Sequence, residues 1–361
     1  MKNSDKIFFL GSHTADGFTS YFRNCYNPRG GGRTYILKGG PGTGKSSLMK
    51  KAAAAARDKG LEVVFCPCSS DPDSLDAVLF PDIKTVILDG TAPHVVEPEM
   101  PGVCEKIVNL GEAFKVDGFY GKGEIICELC DKNSALHSAA AGYLSAAGKL
   151  LNDARHTARE CADGEKIIKF SLNLAEKLIP KTKHKKLGNE TFRFISVPTV
   201  GGAVHLSATP YLYTKKVMLI EDEYRAASPL ILDILKEKAR EAGLDVITLK
   251  NPYLPTLPAD GIIVPDIDVA VCTHSRYTDF SAVADDRMIH SRRFYNLSAL
   301  RSLRSRLKFD RRAADEMIDS SVMKITEAKQ VHDQIETHYI AAVDFEVTNR
   351  ITENLINEIF R

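Results

Sequence analysis

The sequence predicts an α/β fold, a mainly parallel sheet flanked by helices, present twice in one chain and followed each time by a helical segment. Three observations predict it: a repeat at an offset of 183 residues, an alternation of short apolar runs with helical patterns inside each copy, and long proline-free stretches after each. The offset sets Thr34-Tyr35-Ile36-Leu37 against Val217-Met218-Leu219-Ile220, and residues 56–64 against 239–247. One added residue later, Val78-Leu79-Phe80-Pro81-Asp82-Ile83 meets Ile262-Ile263-Val264-Pro265-Asp266-Ile267. Collinear agreement of this extent marks an internal duplication rather than a chance likeness of two α/β units.

Taken in order, Ile7-Phe8-Phe9-Leu10 is too short an apolar run for a signal peptide and reads as an opening strand, matched in the second copy by Phe192-Arg193-Phe194-Ile195. Each copy then runs strand, turn, helix, strand, and a Pro-Asp turn leads to a third strand. Gly60 and Gly243 stand where a helix C-terminus takes a left-handed residue. In the second copy Ser228 reads as the N-cap, with Pro229 in the first helical position. The stretches after the third strands, about 120–180 and about 285–361, are rich in Ala, Leu, Glu, Lys and Arg at helical spacing and suit helical hairpins. The charged run from Pro180 to Asn189 reads as an exposed connection. The expected division is therefore a first domain over 1–180, a linker over 181–190 and a second domain over 191–361.

Composition excludes several classes. Of 361 residues, 44% are hydrophobic and 26% charged, which rules out a disordered or collagen-like chain. Lys plus Arg number 48 against 47 acids, a net charge of +1, so no global field draws the chain onto nucleic acid or an acidic membrane. No stretch approaches the roughly 18 apolar residues of a membrane helix. Eight cysteines without a dense framework suggest reduced thiols and a cytoplasmic protein.

The sharpest motif is Gly39-Gly40-Pro41-Gly42-Thr43-Gly44-Lys45-Ser46, which satisfies G-x-x-x-x-G-K-[ST] between an apolar strand and an alanine-rich helix. Glycines let backbone N–H groups turn inward around a phosphate, and the helix N-terminus adds partial positive charge. Lys45 is expected to reach the β- and γ-phosphates, Ser46 to ligate Mg²⁺, and Ser47 to add a phosphate contact. Such a site also needs an acid at the end of a neighbouring strand. Thr85-Val86-Ile87-Leu88-Asp89 supplies one, although Asp89 also suits a turn cap before Gly90. These features make the expected fold P-loop NTPase-like. Gly90 stands where many hydrolytic P-loop ATPases carry a water-activating glutamate. A base would have to come from Asp71, Asp73, His94, Glu97 or Glu99, which as loop residues also read as ordinary turn and surface groups.

The second copy lacks this equipment. Asp222-Glu223-Tyr224-Arg225-Ala226-Ala227-Ser228 replaces the glycine loop, Ser228 stands for Lys45 and Thr273 for Asp89. Glu221, Asp222 and Glu223 would repel a bound phosphate. This copy is expected to be a pseudo-domain for packing, partner binding or regulation.

The run from Tyr35 to Ser46, with Leu88-Asp89-Gly90-Thr91-Ala92-Pro93-His94, resembles a group of bacterial tandem P-loop ATPase-like proteins, found mainly in Firmicutes and built of two P-loop-type halves. The resemblance covers the whole chain and implies nucleotide binding and hydrolysis. In relatives the second half also carries a phosphate loop; here it does not.

Other clusters read more plainly. Cys127-Glu128-Leu129-Cys130 lacks the further ligands of a common zinc site, although His137 and Cys161 lie downstream; Cys66-Pro67-Cys68 allows a redox reading. Residues 291–312 carry Arg292, Arg293, Arg301, Arg304, Arg306, Lys308, Arg311 and Arg312, which suit a solvated helix face, an arginine finger for the first copy, or a surface for nucleic acid or an acidic partner. The function expected from these residues is a Mg²⁺-dependent ATPase in the first copy, with ATP favoured because no Asn/Thr-Lys-x-Asp guanine-reading motif occurs. A small-molecule or nucleotide kinase and an ATP-sensing switch without turnover are the alternatives.

Overall fold

The computed structural model describes residues 5–25, 30–182, 186–280 and 287–361. The first copy contributes β1 (Lys6–Ile7), β2 (Gly11–Thr14), β3 (Gly17–Ser20), β4 (Arg33–Lys38), α1 (Lys45–Asp58), β5 (Val64–Pro67), β6 (Leu75–Phe80), β7 (Thr85–Asp89), β8 (Glu105–Asn109), α2 (Gly123–Glu160) and α3 (Gly164–Leu178). The second contributes β9 (Glu190–Arg193), β10 (Ser196–Thr199), β11 (Gly202–His205), α4 (Thr209–Tyr213), β12 (Lys216–Glu221), α5 (Ser228–Glu241), β13 (Val246–Leu249), β14 (Gly261–Val264), β15 (Val269–His274), β16 (Arg287–His290), α6 (Leu297–Ser302), α7 (Arg304–Ile340) and α8 (Phe345–Ile359). Of the expected linker, Lys183, His184 and Lys185 lie outside the described residues.

Two six-stranded sheets result, ordered β1-β5-β6-β7-β4-β8 and β9-β13-β14-β15-β12-β16. Strand for strand the orders correspond, an arrangement that fits a duplication. Most strands run parallel, but β6 and β14 are antiparallel to both neighbours, so the sheets are mixed. The reason is connection length. A parallel crossover needs a dozen or more residues, and the segment from Cys68 to Ser74 is shorter than that. The Pro-Asp turns are tighter still, closing on Lys84 and Asp268 at φ 48° and 58°. Gly60 and Gly243, at φ 74° and 77°, end their helices as expected.

The opening strand is shorter than expected. After Ile7 the chain leaves the sheet, and Phe9 and Phe194 exchange a pair of 2.9 Å backbone hydrogen bonds between the copies. Phe8 and Val64 of the first copy pack with Val217, Leu219 and Ile263 of the second in one apolar cluster.

The helical segments are exchanged between the sheets. Ile167, Leu174 and Ala175 of α3 belong to the core of the second sheet, with Met218, Ile220 and Ile231. Leu355 of α8 and the following Phe360 belong to the core of the first, with Leu37, Leu48 and Met49. Each buried Ile, Leu or Phe side chain among these contributes about 1.5–3 kcal/mol, so each sheet is completed by the other copy. The long helices α2 and α7 lie antiparallel: Arg306 pairs with Asp153, and Ser321 bonds the carbonyl of Ala140. Among the described residues, no helix is long and apolar enough to cross a membrane.

Candidate functional site

The glycine loop joins β4 to α1. The chain turns through Gly42 at φ 69°, and α1 starts at Lys45. The Lys45 side chain curls back so that Nζ donates to the carbonyls of Gly39 and Gly40 at 2.9 and 3.0 Å. The same ammonium lies 3.6 Å from Asp89 Oδ2, both side chains being 13% exposed. Register explains the meeting: β7 is the direct neighbour of β4, with Leu37 opposite Asp89. Asp89 also caps its own turn, Oδ1 accepting from Thr91 N and Oγ1 at 2.9 and 2.6 Å. The turn-cap reading of Asp89 therefore holds, and its other oxygen faces Lys45.

Thr43 Oγ1 braces the loop through the Gly40 carbonyl at 2.9 Å. Ser46 Oγ accepts from Leu75 N at 3.0 Å and keeps its proton and a lone pair for another partner. Pro41 is half-buried in the loop, and Ser47 faces solvent on α1. Among the described residues, the N–H groups of Gly42, Gly44 and Lys45 meet no hydrogen-bond acceptor. Bare donors at the start of a 14-residue helix are the chemistry of an anion site.

Of the five candidate bases, the structure brings His94 toward this edge. Its Nε2 lies 3.5 Å from Asp76 Oδ1, its ring stacks on Phe22 at 4.3 Å, and its buried Nδ1 has no partner. Burial lowers the His94 pKa, but hydrogen bonding and charge from Asp76, with the charge of Asp89, outweigh it and leave a raised value. Asp71 accepts from Ser74 and lies 3.5 Å from Lys329 of α7. The Asp73 carbonyl accepts from Lys50, Glu97 pairs with Lys38, and Glu99 with Arg23. Asp76 was not singled out in the sequence. It precedes Ala77, which pairs with Leu88, so its carboxylate stands beside Asp89 at the same sheet edge. A signal existed: the repeat places Asp260 at the equivalent position of the second copy.

The roof of the loop comes from the other copy. A Cβ on Gly40 would sit 2.8 Å from Tyr339, one on Gly42 2.5 Å from Ile340, and one on Gly44 3.1 Å from Thr348. Tyr339 packs edge-on against Phe114 and Phe119, and Lys115 pairs with Asp344 at 3.1 Å. The glycines therefore serve close packing with α7 and α8 as well as the shape of the loop.

In the second copy Asp222 is buried, and its Oδ2 accepts from the N–H groups of Ala227 and Ser228 at 2.9 and 2.8 Å. These are the equivalents of Gly44 and Lys45. The start of α5 thus carries a carboxylate of its own chain. Arg225 takes the place of Gly42 and keeps a left-handed φ of 50°. Its buried guanidinium binds Asp260 at 2.6 and 3.2 Å and Thr278 at 2.9 Å. Two details differ from expectation. The N-cap of α5 is Ala227, not Ser228, because Asp222 does the capping and Ser228 Oγ is buried without a partner. The acidic run is also not a uniform repulsive surface: Glu221 pairs with His290 and Glu223 with Arg311. Thr273 stands opposite Ile220 as Asp89 does opposite Leu37.

None of the eight cysteines forms a disulfide, and among the described residues no group of His, Cys, Asp and Glu is arranged to hold a metal ion by itself. Burial pushes the Cys66 and Cys68 thiols up, away from reactivity. Several basic residues of 291–312 are paired within the chain: Arg306 with Asp153, Arg311 with Glu223, and Arg312 with Glu316. They sit in the first turns of α7, whose far end covers the glycine loop, about 40–50 Å away along a helix of this length. The chain significantly matches no family model, no curated protein and no solved structure.

Proposed function

We propose that the first copy binds Mg²⁺ and ATP at residues 39–47 with Asp89 and hydrolyses the γ-phosphate, as a P-loop ATPase with a non-binding second copy. The observation that carries this reading is the row of unpartnered N–H groups at the α1 N-terminus, beside Lys45 and Asp89. The resemblance to tandem P-loop ATPase-like proteins belongs to the same proposal.

Lys45 would exchange the Gly39 and Gly40 carbonyls for β- and γ-phosphate oxygens, and the loop amides would hold the β-phosphate. Ser46, with its unused lone pair, and Asp89 are the residues that would hold Mg²⁺, which supplies charge neutralisation between the β- and γ-phosphates. Water attacks the γ-phosphorus in line, the bond to the β–γ bridging oxygen breaks, and ADP leaves with phosphate. Of the candidate bases, His94, held by Asp76, is the one turned toward this edge, and it would take the water's proton only in its neutral form. The roof of Tyr339 and Ile340 favours a second reading in which nucleotide moves α7 and α8 and slow turnover serves as a switch.

Turnover of Mg²⁺-ATP by purified protein, with Lys45→Ala and Asp89→Asn as controls, tests the proposal. Phosphate release should vanish in the first variant and, in the second, fall and require more Mg²⁺. Equal release from all three proteins would defeat it.

A further inference from the structure

We infer that the first copy also carries a nucleobase platform, made of Val116 and Tyr120 after β8 and of Ile340 and Phe345 at the α7–α8 turn; this rests on the phosphate-site reading above. The direction of the ligand follows from the sheet. Lys45 leans toward Asp89 on β7, so the terminal phosphate and its metal lie on the β7 flank of β4. The opposite flank of β4 is β8, and a nucleoside extending away from Asp89 leaves on that side. The chain there folds as a short turn over Val116–Phe119, locked to the α7–α8 connection. Asp344 N donates to the Ala113 carbonyl at 2.7 Å, Lys115 N to the Ala342 carbonyl at 2.8 Å, and Phe114 bridges to Val343.

At this junction Val116 and Tyr120 are 69% and 74% exposed, and Ile340 and Phe345 are also exposed. Beneath them Phe114, Phe119 and Tyr339 form a packed aromatic trio against Gly40. An apolar surface of this kind, continuous with an anion site, suits the flat face of a nucleobase, which stacks on aromatic and aliphatic side chains whatever its edge pattern.

The second copy supplies an internal control. There Asp163 N bonds the Phe294 carbonyl at 2.8 Å and Tyr295 bridges to Ala162, which fixes the correspondence residue by residue. The equivalents of Ile340 and Phe345 are Arg159 and Gly164, and those of Val116 and Tyr120 are Leu297 and Arg301. Arg159 is spent on the carbonyl of Ala226 at 3.1 Å. Three of the four patch positions are therefore apolar only in the copy with the glycine loop, Leu297 being the exception.

Calorimetric titration in Mg²⁺ buffer with ATP and with inorganic tripolyphosphate separates the platform from the phosphate site. Wild-type protein should bind ATP at least about tenfold more tightly than tripolyphosphate, the size of one stacking contact. The exposed-site variants Tyr120→Ser and Phe345→Ser should lose most of that preference, with tripolyphosphate affinity unchanged. If tripolyphosphate binds as tightly as ATP, or both variants keep the preference, the platform is overturned while the phosphate site stands. If neither ligand binds the wild type, the phosphate-site reading fails and the platform with it.

Discussion

The two loops that follow β4 and β12 occupy equivalent places, differ in backbone at the helix N-cap (Gly44 at φ 88°, Ala227 at φ −107°), and solve opposite electrostatic problems. Both turn through a left-handed residue, Gly42 or Arg225, into a 14-residue helix. In the second copy the helix start is satisfied by Asp222 and the neighbouring acid, Asp260, by Arg225. The anion and the cation are both built into the chain. In the first copy the amides of Gly44 and Lys45 meet no acceptor among the described residues, Asp76 lies beside His94, and Asp89 lies beside Lys45 and Thr91. The difference teaches that a helix start and a sheet-edge acid can both be satisfied by side chains of the same chain. Satisfying them matters, because a buried polar group without a partner costs about 1–3 kcal/mol.

Several substitutions break or sharpen that contrast. Arg225→Ala strips a buried pair of one partner, and chemical denaturation should show a loss of about 3–5 kcal/mol. If stability falls by no more than a surface change would cause, the internal cation is not structural. Asp222→Ala leaves the Ala227 and Ser228 amides and the Tyr295 hydroxyl unpaired, for an expected loss of about 2–3 kcal/mol. Gly42→Ala forces a side chain into a left-handed turn and against Ile340. It should cost about 1–3 kcal/mol and raise hydrogen exchange at the α7–α8 turn. The smallest effects should fall on shared elements: Gly60→Ala and Gly243→Ala each cost about 1 kcal/mol, and equal thermal shifts would confirm that these helix ends are still equivalent.

Local signals were legible in the sequence where local physics decides the outcome. The strand–loop–helix around Lys45, the acid at the end of β7, the Pro-Asp turns and the glycine helix stops all follow from a few adjacent residues. The mixed sheets were hidden in plain view, since the Cys68–Ser74 connection is too short for a crossover. The role of Asp222 was not legible, because a carboxylate repels a phosphate or replaces one depending only on where its oxygens point. The exchange of α3 and α8 leaves no local mark at all. Ile167 and Leu355 show an apolar helix face, but nothing in their periodicity says which sheet that face will cover.

The central claim is that the first copy takes from solution the anion that the second supplies from Asp222. Calorimetric titration of Mg²⁺-ATP tests it most directly, on wild-type protein and on Lys45→Ala, whose affinity should fall about a hundredfold or more, the loss of a charge-assisted contact of roughly 3 kcal/mol. The account expects one site per chain, lost in the variant. Two sites per chain, no site, or one site indifferent to Lys45 would contradict it.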